Sequence, residues 1–274
     1  MGWGETMEEN LPKYLYHYTN INTLALILKY KKIRLNNLNN VDDLSEGETS
    51  DAGKFGRYCF VSCWTEAEEE SIPFWYMYSK QMTGVRIRLP IYPFKKQPID
   101  SYEGFEDGFK VEIIGSETNL LPQSLLFNDH CTVLPNPKFL CKVIYTQDQN
   151  LLFPKIIFKE TDKSGIRTSV VGKYKRSEWN FQREWRYLLI ALPVGKKEMR
   201  DPDVVYHTMD KITNNVDIPY KFIDLDLDEA ALEEMEIVLA PSTNDGDKIL
   251  VESLIERYCP KAIVKESVLK GKIK

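Results

Sequence analysis

The sequence predicts an α+β fold with a central mixed, largely antiparallel β-sheet core and flanking helices. Three observations predict it. Aromatic and β-branched runs such as "YCFVSCW" (58–64) and "NFQREWRYLLIAL" (180–192) have the composition of strands. "VRIRL" (85–89) alternates apolar and basic residues with the two-residue period of a half-buried strand. Towards the end, "EIVLAP", "DGDKILVESLIERYC" and "KAIVKESV" read as strand, helix, strand, which fits a right-handed crossover between parallel strands.

The elements follow in order. "LYHYT" (15–19) is a short strand. Thr19 or Asn20 can cap a helix running to about Lys31, because Ile21, Leu24, Ala25 and Leu28 recur at helical spacing and Lys29, Lys31 and Lys32 suit a helix C-terminus. "KIRL" is a short strand, and "NNLNNVDDLSEGE" is a polar loop rich in turn residues. Ser71 can cap a helix with Pro73 in its first turn, carrying Phe74, Trp75 and Tyr78 and ending at Gly84. "VRIRL" follows, with Val85, Ile87 and Leu89 on one face and Arg86 and Arg88 on the other. Residues 91–140 show scattered Pro and Gly and poor periodicity, so loops with short elements are expected there. "KFLCKVIYT" resumes as a strand. In "FQREWRYL" strand alternation would set Gln182, Glu184 and Arg186 on one side and Phe181, Arg183, Trp185 and Tyr187 on the other.

A chain of 274 residues can bury a large core, and without repeats, low-complexity segments or an evident linker it is expected to form one elaborated domain, 1–274. No apolar run approaches the ~20 residues needed to span a bilayer. "MGWGETMEEN" is polar and acidic, without the basic and apolar regions of a signal peptide, although Gly2 and Thr6 fit the bare form of a myristoylation pattern. Five cysteines at irregular spacing contain no CxxC pair, so reduced thiols in a cytoplasmic protein are expected, with no metal and no membrane association. The net charge of −5 argues against a general nucleic-acid binder. The exception is local: "KYKRSEWNFQREWRY" (173–187) interleaves Lys173, Lys175, Arg176, Arg183 and Arg186 with aromatic rings, a pattern that can hold phosphates or stack bases, or form a solvated strand.

Three segments carry more polar chemistry than a core needs. His17, Tyr18 and Thr19 precede a helix N-terminus, where free N–H groups favour anions; a packed structural histidine is the plainer alternative. Ser62 sits in an apolar strand, where its hydroxyl needs a partner, and Trp75, Tyr76 and Tyr78 offer either a stacking wall or core packing. Glu184 lies between apolar neighbours and, if buried, requires a counter-charge, with Arg186 as a candidate. The loop residues Asp42, Asp43 and Glu46 could hold a divalent cation or form a solvated acidic loop.

These pieces, in this order, resemble the bacterial domain of unknown function 2971 family over roughly residues 14–265. His17, Tyr18 and Thr19 match its His-Tyr-Thr/Ser segment. Asp43 and Glu46 match its Asn-Asp-Pro-x-Glu loop, with Asp42 at the Asn and Leu44 at the Pro. "FVSCW", "FWYMYSKQMTGV" with Gly84, "QREWR" and "EIVLAPS" match the later segments, Gln182 standing at the first Glu of the Glu-x-Glu-aromatic-Arg motif. More distantly, the order of His17, Ser62 and Gln182-x-Glu184 is similar to the three dispersed elements of mono-ADP-ribosyltransferases. That resemblance implies an ADP-ribosyltransferase-like fold that binds NAD or a related nucleotide, with His17, Gln182 and Glu184 catalytic, and either passes ADP-ribose to a protein or nucleic acid or hydrolyses NAD. It implies that His17, Tyr18 and Thr19 hold ribose or phosphate, with Ser62 and Arg186 at the nucleotide. Trp75, Tyr76 and Tyr78 would stack on nicotinamide, Gln182 would orient the acceptor, and Glu184 would stabilise the oxocarbenium-like centre left by nicotinamide. This chain mixes a His-type first element with a Ser-type second, so the second element stays open between Ser62 and Tyr76 or Tyr78. Two other readings stand beside it. One is a metal-dependent nuclease using Asp42, Asp43, Glu46 and Glu184, weakened by Arg at position 186. The other is a non-catalytic nucleotide sensor or interaction module in phage defence or a toxin system.

Overall fold

The structure, a computed structural model, describes residues 11–98, 102–103, 110–111, 118–126, 128–161 and 164–273. The myristoylation pattern in residues 1–6 and part of the 91–140 stretch lie outside the described residues. The fold is mixed α+β, with a large, largely antiparallel sheet and several helices. The chain divides into two compact units: residues 1–32, 64–93 and 227–274 form the first, and residues 33–63 and 94–226 the second.

In the first unit, strand β1 (Tyr14–Thr19) leads through Asn20 into helix α1 (Ile21–Tyr30). The Asn20 side chain accepts the Thr23 N–H at 2.8 Å and so caps the helix, and Lys31 ends it in the left-handed conformation. Leu24, Ile27 and Leu28 form its buried stripe. Strand β4 (Val85–Pro90) pairs antiparallel with β1, setting His17 opposite Ile87 and Tyr18 opposite Arg86. On its other edge β4 pairs with Glu236–Leu239, which in turn pairs parallel with Ile263–Glu266. The helix Asp245–Tyr258 joins those two parallel strands and packs beside α1. The strand–helix–strand reading of this region therefore holds.

Helix α2 (Ile72–Tyr78) begins as its sequence suggests: Ser71 accepts the Phe74 N–H, and Pro73 sits in the first turn where no N–H partner is needed. It ends earlier than Gly84, however. Lys80, Gln81 and Met82 all take positive φ (51°, 55° and 67°), a left-handed turn that drops Met82 into the core. Gly84 has a different role. A Cβ there would stand 2.1 Å from the Thr19 carbonyl oxygen, so only glycine lets the chain pass β1 at this distance. Tyr18, Phe74, Trp75, Met82, Val238 and Ala240 pack together, with Tyr78, Leu269 and Ile273 against them.

In the second unit, β2 (Lys32–Asn37) pairs antiparallel with β3 (Cys59–Thr65), with Asn36 opposite Val61. The strand Glu184–Leu192 pairs with β3 and, antiparallel, with Thr132–Lys142, whose register shifts between Tyr187 and Leu189. "KFLCKVIYT" is thus two strands, because Val143 leaves the ladder and Ile144–Thr146 pairs instead, parallel, with Tyr174–Arg176. Leu38, Phe55, Tyr58, Val61, Ile156, Leu188, Ile190 and Ile212 form the core of this unit. None of the five cysteines forms a disulfide and four of them are buried, and no helix among the described residues is long and apolar enough to cross a membrane.

Candidate functional site

The strand expected from Asn180 begins only at Glu184. Residues Ser177–Gln182 form a 3-10 helix, and Arg183 turns the chain with φ 44°. Simple strand alternation therefore does not place Gln182 beside Glu184. Lys175, on the short strand Tyr174–Arg176, does. Its ammonium donates to Gln182 Oε1 at 2.7 Å and to Glu184 Oε2 at 3.0 Å, with Glu46 Oε1 at 3.7 Å. The Trp179 ring lies under the same ammonium at 4.9 Å. Arg186 completes the cluster. Its Nε donates to Glu184 Oε1 at 2.5 Å, its Nη2 to both Glu46 oxygens at 3.0 and 2.8 Å, and its Nη1 to the Gly172 carbonyl at 3.0 Å. The Glu184 N–H donates to the Tyr145 hydroxyl at 2.9 Å, and the Cys63 thiol bonds the Glu184 carboxylate.

Glu184 and Lys175 are each only 3% exposed, and Arg186 is fully buried. Two carboxylates and two cations leave the quartet Glu46, Lys175, Glu184 and Arg186 formally neutral, which is how a protein interior accommodates four charges. Burial works against the Glu184 carboxylate, but Arg186 and Lys175 outweigh it and hold this group down at about 2. For Glu46 the balance reverses: burial, aided by the charge of Glu184, raises its carboxyl above the usual range despite the same two cations. Burial likewise pushes the Cys63 thiol well up, with the Glu184 charge adding to it. Beside the quartet, Arg176 forms a second ion pair with Asp43, and its hydrogen bond holds the Asp43 carboxyl well below the usual range.

The acidic loop is thus solvated only in part: Asp42 is exposed. Asp43 and Glu46 are buried and paired with arginine. Among the described residues no group of three or more His, Cys, Asp or Glu side chains is arranged to hold a metal ion.

The remaining candidate residues divide between the units. Ser62 belongs to the second unit, buried within β3. His17, Tyr18, Thr19, Trp75, Tyr76 and Tyr78 belong to the first. His17 is half-buried with its ring 5.0 Å from that of Trp64, tilted by 37°. Tyr18 meets Phe74 and Trp75 edge-on, at 5.0 and 4.7 Å between centroids, and its hydroxyl accepts the Ser71 N–H at 2.9 Å. Thr19 is buried, and the helix cap is Asn20. Trp75 is 0% exposed, and its indole N–H donates to Glu70 at 3.0 Å. Tyr76 is 50% exposed and Tyr78 half-buried against Phe74.

Sequence reasoning grouped Gln182, Glu184 and Arg186 and missed Lys175, Glu46, Cys63 and Tyr145 as their partners. Two signals existed. Lys175 stands in the basic-aromatic stretch, and Glu46 in the acidic loop. No protein-family model, curated protein or solved structure matches the chain.

Proposed function

We propose that the protein is an ADP-ribosyltransferase-like enzyme that binds NAD, breaks its nicotinamide–ribose bond and passes ADP-ribose to a protein or nucleic-acid acceptor, or to water. The observation that supports this best is the convergence of the Gln182 amide and the ionised Glu184 carboxylate on one ammonium, at 2.7 and 3.0 Å. In the proposed step the C1′–N1 bond breaks and its electron pair leaves with nicotinamide, neutralising the pyridinium. The resulting oxocarbenium-like carbon is stabilised by a fixed negative charge, and Glu184 carries one far below neutral pH. The acceptor oxygen or nitrogen then bonds C1′ and releases its proton to solvent. The same reading places the chain in the domain of unknown function 2971 family, with an ADP-ribosyltransferase-like fold, as a cytoplasmic bacterial protein of a phage-defence or toxin system.

The test is release of labelled nicotinamide from NAD by wild type and by Glu184→Gln, with circular dichroism to confirm folding. Loss of a preorganised charge from such a site lowers turnover by about a hundredfold or more. Full turnover in a folded Glu184→Gln variant sinks the role of Glu184.

One observation favours a second reading. Both Glu184 oxygens are already bonded, to Arg186 and Lys175, and the residue is almost fully buried. On that reading the quartet is architectural and the protein is a non-catalytic nucleotide-binding module. Calorimetry that shows NAD binding, with no nicotinamide released on prolonged incubation, selects it over the enzyme.

A further inference from the structure

Lys175 matches no element of the transferase-like motifs, yet its ammonium joins Gln182 to Glu184. We propose that Lys175 is a positioning residue of the site: its ammonium clamps the Gln182 amide and the Glu184 carboxylate into one fixed geometry for the reaction of the nucleotide. This rests on the transferase reading.

The backbone makes such a clamp necessary. Arg183, at φ 44°, interrupts the extended chain, so Gln182 ends a 3-10 helix while Glu184 opens a strand. Their mutual placement is not inherited from a continuous ladder. Lys175 supplies it from a third element, held in parallel register by the pairing of Tyr145 with Lys175. Tyr145 in turn takes the Glu184 N–H, so the strand that positions the clamp also anchors the clamped residue.

The chemistry of the ammonium sets a direction as well as a position. Lysine offers donors and no acceptor, so the Gln182 amide must present Oε1 to it and turn its NH2 end away. A glutamine that orients an acceptor needs that polarity fixed, and Arg186, which reaches Glu184 and Glu46, bonds Gly172 rather than Gln182 with its remaining donor. Arg186 can balance the charge of Glu184; Lys175 joins it to Gln182. The groups facing Glu184 include Lys175, Arg186, Glu46, Cys63 and Tyr145, and Lys175 is bonded to both members of the Gln-x-Glu pair.

The experiment compares wild type with Lys175→Met, Lys175→Arg and the double variant Lys175→Met/Glu46→Gln. The double variant removes one cation and one anion, so the quartet stays neutral and the variant serves where Lys175→Met fails to fold. Nicotinamide release is followed against NAD concentration and pH. In the double variant kcat falls by on the order of a hundredfold, as expected for a misplacement of about 1 Å, while KM for NAD stays within about twofold. Lys175→Arg, which keeps charge and donors, regains most of the loss. A folded double variant with wild-type kcat and an unchanged pH profile overturns the clamp. If wild type itself releases no nicotinamide, the transferase reading fails, and the clamp is judged by NMR of the Gln182 side-chain amide and the Glu184 carboxyl. Resonances shifted in the double variant support it, and unshifted resonances overturn it.

Discussion

Trp75 and Tyr76 are adjacent in sequence and opposite in circumstance. Trp75 is sealed between Tyr18, Phe74 and Met82 with its N–H on Glu70, whereas half of Tyr76 is in solvent. Replacing a buried tryptophan by alanine removes its transfer energy and leaves a cavity. Trp75→Ala is therefore expected to cost about 3–5 kcal/mol of stability. Tyr76→Ala should cost less than about 1 kcal/mol, since surface substitutions remove little packing. Urea titrations of both variants check the contrast, and equal midpoints would contradict the burial argument. The sequence could name both rings but not separate them, because a seven-residue helix shows less than two full turns of pattern. A residue with a local partner was easier to read. The sequence narrows the N-cap to Thr19 or Asn20, since a capping side chain bonds an N–H a few residues on, and Asn20 is the cap.

At the scale of elements, the segment joining α2 to β4 shows how backbone conformation hides from sequence. Glycine was a reasonable stop signal at position 84, yet the chain had already turned through Lys80, Gln81 and Met82, none of which favours positive φ. Arg183 repeats the lesson. A non-glycine residue at φ 44° breaks a strand that aromatic and β-branched composition made look continuous. None of these residues carries the glycine signature of a positive φ, so local propensity does not announce either turn. Two substitutions separate strain from packing here. Gln81→Gly, exposed and at φ 55°, relieves an unfavourable conformation while adding unfolded-state entropy, so its effect should lie within about 1 kcal/mol of zero. Gly84→Ala drives a methyl group to 2.1 Å from the Thr19 backbone carbonyl oxygen and should destabilise by about 1–3 kcal/mol or more. Thermal melts rank them; a Gly84→Ala protein as stable as wild type would show that β1 can yield.

Across the whole molecule, short-range patterns revealed strands and helices, but the centre of the candidate site is long-range. Arg186 and Glu46 are 140 residues apart, and only the folded chain makes the acidic loop the counter-charge of the late Glu-x-Arg segment. That arrangement has a pH signature. Glu184 titrates at about 2 in the folded protein against 4.5 for an unperturbed glutamate. A depressed carboxyl stabilises the fold fully above 4.5, and this contribution is lost as pH falls towards 2. For an almost fully buried group the shift corresponds to on the order of 3 kcal/mol. Asp43, also depressed, acts in the same direction. Glu46, raised by burial, acts in the opposite one: its share favours the fold at low pH and is lost as pH rises through its folded value. Glu184→Gln isolates the first contribution. Near pH 7 it leaves Lys175 and Arg186 facing Glu46 alone, and an uncompensated buried charge should cost about 3–5 kcal/mol. As pH drops from 4.5 to 2 the wild type loses what the variant never had, so their stabilities should converge. Urea unfolding of both proteins across that interval, with hydrogen exchange along residues 184–192 as the local probe, reads the convergence directly. A gap that stays constant down to pH 2 would mean that Glu184 does not enter the fold as a paired carboxylate.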